Sequence, residues 1–187
     1  MRWEEFRRRR LQEYASAEID QWIRQITDTI NSSEDFVTLS SCAGRIAVMD
    51  MPEFGDKKGS VFLGKWHSPP PFQEVVRAIS AGRGEVWFMM NPPIIHVACR
   101  DPEIAFRLLD VCKRAGFRRA GVISGKKNVV EIAGQERVEF LVARNGEIIA
   151  DERVLVENFR ESVDKLKKSR ERFRRFEDEF RSAFLSR

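Results

Sequence analysis

Cysteine is scarce in this chain and never paired by spacing: Cys42, Cys99 and Cys112 are an odd number, and no CxxC joins any two of them. On that count the usage fits a reducing compartment better than a disulfide framework. No apolar run reaches the ~20 residues of a membrane-spanning helix. The first residues, with Trp3, Glu4, Glu5 and a run of arginines, lack the apolar core of a secretion signal. The expected location is therefore the cytoplasm. Histidine is rarer still, with only His67 and His96. No GxGxxG follows a strand-like run, so the glycine-rich crossover of doubly wound nucleotide-binding folds is absent.

What is present is charge. One third of the 187 residues are Asp, Glu, Lys or Arg, against 42% hydrophobic, which describes a globular chain with a heavily solvated surface. The length suits one domain with one substantial core. The net charge of +4 is unevenly spread: residues 1–10 carry +3 and residues 165–187 carry +5, which leaves −4 for the middle. Two basic ends favour a polyanionic partner, because neutralising phosphates releases counterions, although either end alone reads as a solvated helix.

The hydrophobic pattern predicts the elements. Apolar residues from Trp3 to Ile30 recur at helical spacing as two helices or one broken helix, with Ser16 as a cap for the second. Strands are expected at 35–40, 45–51 and 60–67, with Pro52 to Gly59 a polar connection. Pro69-Pro70-Pro71 opens a helix over Phe72 to Ala81. Two strands follow, Glu85 to Asn91 and Ile94 to Arg100. Asp101 caps a helix that runs to Ala115, with Gly116 at its C-terminal cap. Strands at 119–124, 127–133 and 137–143 precede an Asn145-Gly146 hairpin turn. A long helix occupies Glu152 to Phe184, its Phe159, Leu166, Phe173 and Phe180 spaced by seven. That stripe reads as a docking face, or alternatively as a coiled-coil seam. Grouped strands without a steady βαβα alternation predict an α+β fold with a mixed or antiparallel sheet, flanking helices and a long C-terminal helix, not a Rossmann-type fold.

The chemistry-bearing stretch is Thr38-Leu-Ser-Ser-Cys-Ala-Gly-Arg45, a turn between two strands. Ser40, Ser41 and Cys42 offer small polar groups, Gly44 allows unusual dihedrals, and Arg45 offers a planar fork for phosphate or carboxylate. The plainer reading is a polar turn. Lys65-Trp66-His67 ends another strand, where Trp66 is a stacking surface and His67 a polar neighbour, while Trp87 reads as core. His96 lies inside an apolar strand, sharing a face with Ala98 while Val97 and Cys99 face the other way. It is either a hydrogen-bonded core residue or a base. The same alternation separates His96 from Cys99 and argues against a zinc site, so no metal is expected. Cys112 reads as core, and Cys42 as a structural thiol or a nucleophile paired with a histidine. Lys126-Lys127 forms a turn that faces phosphate or merely solvent.

Ser-Ser-Cys-x-Gly-Arg at 40–45, Gly64-Lys-Trp, His-Val-x-Cys-Arg at 96–100, Gly-Phe-Arg-x-x-Gly at 116–121 and Arg137-Val-Glu occur in order over nearly the whole chain. This succession resembles the tRNA wybutosine-synthesizing protein 3 family, methyltransferases that act on the tricyclic base derived from the guanosine at position 37 of phenylalanine tRNA. The chain departs from the family pattern at Ala43 and Ala120, where serine is common, and at His67, which follows Trp66 directly. The resemblance implies S-adenosyl-L-methionine as cofactor and the tRNA(Phe) anticodon loop as partner. With it, His96 is expected in catalysis, as the base at ring nitrogen N4 of a wyosine intermediate or as a ligand-orienting donor. Cofactor or substrate would be held by Ser40, Ser41, Cys42, Arg45, Lys65, Trp66, His67 and Arg100. Arg7–Arg10 and Lys167, Lys168 and Arg170 are then expected to meet tRNA. The alternative readings are a non-catalytic tRNA-binding module and a Cys/His hydrolase acting on RNA.

Overall fold

The computed structural model describes residues 2–52 and 58–186; the centre of the expected Pro52 to Gly59 connection, 53–57, lies outside them. The elements run α1 (Trp3–Ser16), α2 (Gln21–Asn31), β1 (Phe36–Cys42), β2 (Arg45–Met51), β3 (Val61–Trp66), α3 (Phe72–Ala81), β4 (Glu85–Asn91) and β5 (Ile94–Cys99). There follow α4 (Pro102–Ala115), β6 (Gly121–Ser124), β7 (Val129–Ala133), β8 (Val138–Arg144), β9 (Glu147–Ile148) and α5 (Glu152–Phe180), which closes in a π-helical turn, Arg181–Leu185. All described strand pairs are antiparallel, so the α+β expectation holds. Asp101 caps α4 through the Ile104 amide at 2.9 Å, and Gly116 closes that helix, both as expected. The cap of α2 differs. Asp20 accepts from the Trp22 amide, while the Ser16 hydroxyl turns back onto the Gln12 and Glu13 carbonyls inside α1.

The chain builds two compact units. The first comprises the residues up to Ala43, Pro93–Gln135 and those from Ser169 onward. Its sheet has the order β1-β5-β7-β6. One face buries Phe36, Ile95, Val97, Cys99, Val130 and Ile132 beneath α2, α4 and the last turns of α5, where Phe173, Phe176 and Phe180 are fully enclosed. On the opposite face Val37, Ala98 and Val129 are covered by Trp3, Phe6 and Leu11 of α1 and by Leu39. The β1 edge is closed by side chains rather than by another strand. Arg7 donates to Phe36 O (3.0 Å), Arg10 to Leu39 O (2.7 Å), and Asn31 Oδ1 accepts from the Thr38 amide (2.8 Å). Covering an edge in this way blocks further strand pairing.

The second unit comprises Gly44–Pro92 and Glu136–Lys168. Its sheet runs β3-β2-β4-β8-β9. Strict alternation in β4 buries Val86, Phe88 and Met90 against Ile46, Val48 and Val142, and α3 and the first part of α5 cover them with Val75, Ile79, Leu155 and Leu166. The seven-residue stripe of α5 docks as a packing face, but it serves two cores. Phe159, Val163 and Leu166 belong to this unit, and Phe173 and Phe180 to the first. Those buried phenylalanines are spent on cores rather than on a coiled-coil seam.

Candidate active site

On the outer face of the first unit, three polar side chains form one hydrogen-bonded row across three strands. The register sets Ser40 opposite His96 and His96 opposite Glu131. Ser40 Oγ lies 2.8 Å from His96 Nδ1, and His96 Nε2 lies 2.8 Å from Glu131 Oε2. A β-bulge creates this row. The register shifts between Thr38 and Ser40, so Leu39 is an extra residue that packs with Val37 and Ala98. Strict alternation from Val37 would turn Ser41 outward; the bulge turns out Ser40 and Cys42 instead. Bulges of this kind re-aim side chains beside active sites. Arg10 holds the Leu39 carbonyl in place.

The row also fixes the imidazole tautomer. An ionised carboxylate accepts only, so Nε2 carries the hydrogen toward Glu131 and Nδ1 presents its lone pair to the Ser40 hydroxyl. Ser40 thus donates to Nδ1 and turns its own lone pairs outward. Its side chain is exposed, His96 retains 27% of its side-chain exposure and Glu131 40%, so the row borders solvent. A cavity of about 250 Å³ adjoins it, lined by Tyr14, Ile19, Thr38, Leu39, Ser40 and Ser41. That is below the ~300–1,000 Å³ of common small-molecule sites, enough for part of a ligand. A larger cavity, about 560 Å³, lies on another flank of α1 and is lined by Trp3, Arg8, Glu34 and Arg100, not by the row. The hydrogen-bonded chain, and not volume, singles out the candidate site.

The other candidates are distributed. Arg45 and Lys65 are in the second unit, where both place their cations over the half-exposed ring of Phe62, at 5.5 and 5.8 Å. Arg45 Nε is buried and has no hydrogen-bond acceptor among the described residues. Trp66 faces inward: it packs against the second core and lies over Gly64, where a Cβ would stand 2.0 Å from the ring. The stacking role expected of Trp66 thus competes with a packing role. His67 donates from Nδ1 to Gly44 O at 3.0 Å, and Arg170 donates to Ala43 O at 3.2 Å. The two carbonyls of the turn are held, one within each unit, and Gly44 adopts φ +74°, open to glycine at little cost. Arg100 is paired with Asp35 (2.6 Å) and Asp101 (3.2 Å) and belongs to the larger cavity, not to the row. Burial pushes the Cys99 thiol up to about 12 and raises that of Cys112 as well, so neither is a nucleophile at neutral pH.

The basic ends are corrected in part. Arg7 donates to Asn31 O, Ser33 O and Phe36 O, and Arg10 to Leu39 O, so both are structural anchors. Arg170 stacks on Trp22 at 5.0 Å, and burial holds its guanidinium below the usual arginine range. Arg8, Arg9, Lys167 and Lys168 are exposed. Sequence reasoning missed Glu131 and Phe62 as site residues. The available signal for Glu131 was a lone carboxylate inside the apolar run Val-Val-Glu-Ile-Ala.

With this geometry in hand, comparison with known proteins is informative. A family model described as "Methyltransferase TYW3" matches residues 2–182. A protein of Archaeoglobus fulgidus, tRNA(Phe) 7-((3-amino-3-carboxypropyl)-4-demethylwyosine(37)-N(4))-methyltransferase, is 44% identical over 186 residues, covering 97% of this chain and 95% of that protein. A Pyrococcus horikoshii protein of the same name, numbered 1, is 39% identical over 163 residues, covering 86% of this chain and 83% of its own. Among solved structures, that of the PH1069 protein from Pyrococcus horikoshii superposes with a TM-score of 0.90 at 34% identity, over 95% of each chain. A hypothetical protein from Aeropyrum pernix matches with a TM-score of 0.76 at 25% identity, over 88% of this chain and 98% of its own.

Proposed function

The chain belongs to the TYW3 methyltransferase family, and on that premise we propose that it methylates N4 of a 4-demethylwyosine-type nucleoside at position 37 of tRNA(Phe), using S-adenosylmethionine, in the cytoplasm. The substrate is carried by the names of relatives that match the chain along most of its length. The observation that supports the chemistry is the Ser40–His96–Glu131 row.

Methylating a ring nitrogen that bears hydrogen requires one proton to leave. When bound, the sulfonium donor would supply the methyl group and leave as a neutral thioether. Ser40, whose lone pairs face outward, accepts the N4 proton as its own hydroxyl proton passes to His96 Nδ1. The resulting imidazolium is held by the Glu131 carboxylate, so no net charge is left isolated. General base assistance of this type contributes ~10²–10⁴-fold, and alignment of donor and acceptor supplies much of the rest. Arg45 and Lys65 fit the donor's carboxylate, since the buried Arg45 Nε lacks an acceptor among the described residues and a guanidinium fork matches a carboxylate. Trp66 and His67 stand in the same unit as Arg45 and Lys65 and would line the surroundings of that carboxylate, while Ser41 and Cys42 adjoin Ser40 in the first unit. Arg100, already paired with two carboxylates, is the weakest of the binding candidates.

Single-turnover methyl transfer to tRNA(Phe) carrying the demethylated base tests this reading. His96→Ala should lose ~10²–10⁴ in rate with far smaller losses in tRNA and donor affinity. His96→Asn keeps a hydrogen bond but takes no proton; parental rates in that variant would make His96 a positioning residue. Calorimetry with S-adenosylmethionine that detects no binding, with or without tRNA, would remove the methyltransferase reading itself.

A further inference from the structure

We propose that the open edge of the first unit, strand β6 with the turns at its two ends, docks the RNA strand that flanks the modified nucleotide, its phosphates held by Arg118, Arg119 and Lys126. This rests on the RNA-methyltransferase reading and adds where the polyanion lies. The sheet order β1-β5-β7-β6 leaves two edges. The β1 edge is closed by α1, through Arg7 on Phe36 O and Arg10 on Leu39 O. The β6 edge has no further strand among the described residues.

Continuity with the reactive row supports the choice. Gly121 stands opposite Glu131 and so extends the row Ser40–His96–Glu131 to the sheet edge. A Cβ placed at Gly121 would meet no atom within 4 Å, so the space beside the Glu131 end is open. A ribose–phosphate chain attached to a base over the row crosses β6 unobstructed. Arg118 and Arg119 precede this strand and Lys126 follows it; all three are exposed, and no side chain of the three makes a hydrogen bond or ion pair among the described residues. The four residues of β6 that lie between the two groups span ~13 Å at 3.3 Å per residue, within reach of successive phosphates. Between them Ile123 is 55% exposed, an apolar surface suited to a ribose or base face.

The turn that presents Lys126 is held rigidly. Lys127 and Asn128 both adopt left-handed backbone, φ +69° and +45°, a costly geometry kept only where surroundings enforce it. Here the Cys99 amide donates to Lys127 O at 3.1 Å, and the Lys127 ammonium lies 5.0 Å over the Phe6 ring. Lys127 is thus an anchor, which leaves Lys126 for the ligand. A second copy of the chain fits the edge less well. Antiparallel pairing about a two-fold axis would set Arg118 and Arg119 of one copy against Lys126 of its partner, opposing like charges.

The test uses the full chain and an anticodon stem–loop of tRNA(Phe), with binding read by fluorescence anisotropy across a potassium chloride series. Single-strand contacts contribute ~0.7 each to the log–log salt slope. Replacing Arg118, Arg119 and Lys126 together by alanine should therefore flatten the slope by about 2 and weaken binding at 0.1 M salt by about 100-fold. Arg118→Lys with Arg119→Lys keeps the charge and should keep the slope, and if the alanine variant folds poorly, Arg119→Gln with Lys126→Gln should flatten it by about 1.4, a parental slope there overturning the proposal equally. Three exposed arginines of the second unit, Arg77, Arg153 and Arg160, changed together to alanine, should leave the slope unchanged. A parental slope in the triple variant overturns the proposal. So does a parent dimer that Ile123→Lys dissociates without changing the RNA slope, which would assign the edge to a second copy. A parent that binds the stem–loop but transfers no methyl group sinks the functional reading alone, and one that binds no RNA sinks both.

Discussion

Arg7 separates anchoring charge from free charge in the basic N-terminal run. Its guanidinium spans three acceptors, Asn31 O at 2.7 Å and Ser33 O and Phe36 O at 3.0 Å, which ties α1 to the end of α2 and to the β1 edge. Hydrogen bonds to charged groups contribute ~1.5–3 kcal/mol each, and a cation at a helix C-terminus adds ~0.3–1 kcal/mol. The three are not additive, because Arg7 is only half-buried and the freed carbonyls turn to water once α1 lifts. The working figure for Arg7→Ala is ~2–4 kcal/mol, against ~0.5 kcal/mol or less for the exposed Arg8→Ala. For a chain of this length each kcal/mol moves the melting temperature by ~2–4 °C, so Arg7→Ala should melt roughly 4–16 °C lower. Thermal unfolding by circular dichroism reads the shift. Amide exchange should accelerate at Thr38 and Leu39, the β1 residues that α1 covers. The consequence for RNA binding is direct: a block replacement of Arg7–Arg10 would weaken binding by unfastening α1 and baring Val37, Ala98 and Val129. Melting curves for Arg7→Ala and Arg8→Ala that coincide within a degree would refute the division.

Glu177 predicts acid sensitivity: burial raises its carboxyl, but hydrogen bonds from Arg181, Thr29 and Gln25 outweigh that and hold it below its ordinary value. A depressed folded-state carboxyl stabilises above its unfolded pKa and loses that contribution as pH falls through the folded one, so the parent's urea midpoint should fall more between pH 7 and pH 3 than that of Glu177→Gln; equal falls would count against it. Gly64→Ala places a Cβ 2.0 Å from the Trp66 ring, and the displaced indole should cost about 1–3 kcal/mol and red-shift tryptophan emission, whereas an unshifted spectrum at parental stability would show that the ring has room.

Most of the fold was legible because its signals are local. Pro69-Pro70-Pro71, Asp101 and Gly116 act on the residues beside them, and α3 and α4 begin or end where those residues put them. Alternation in β4 settles which residues are buried, since Val86, Phe88 and Met90 share one face. The cap of α2 was misplaced for an equally local reason. Ser16 and Asp20 both precede the apolar run, and only the second leaves the chain extended before Gln21. What no local signal carried is the division of the α5 stripe. Phe159, Leu166, Phe173 and Phe180 keep one heptad phase, yet the change of core falls between Lys168 and Ser169, and periodicity is blind to which sheet a residue meets.

The candidate site turns on a single residue of register. Ser40, Ser41 and Cys42 were visible as a cluster and His96 as a histidine in an apolar strand, but alternation alone set Ser41 on the outer face. Leu39 decides the matter by occupying a bulge: it packs under α1 beside Val37, and Ser40 falls opposite His96. Glu131 then follows from the pairing of β5 with β7, whose strands are separated by a helix and a further strand in sequence, so no spacing rule reaches it. The bulge is itself secured from a distance, since the Leu39 carbonyl accepts from Arg10 of α1. An arginine in a run of four thus fixes the register that lets a serine meet a histidine. Its place in that basic run looked like charge for a partner, while its contacts give it a place in the construction of the site.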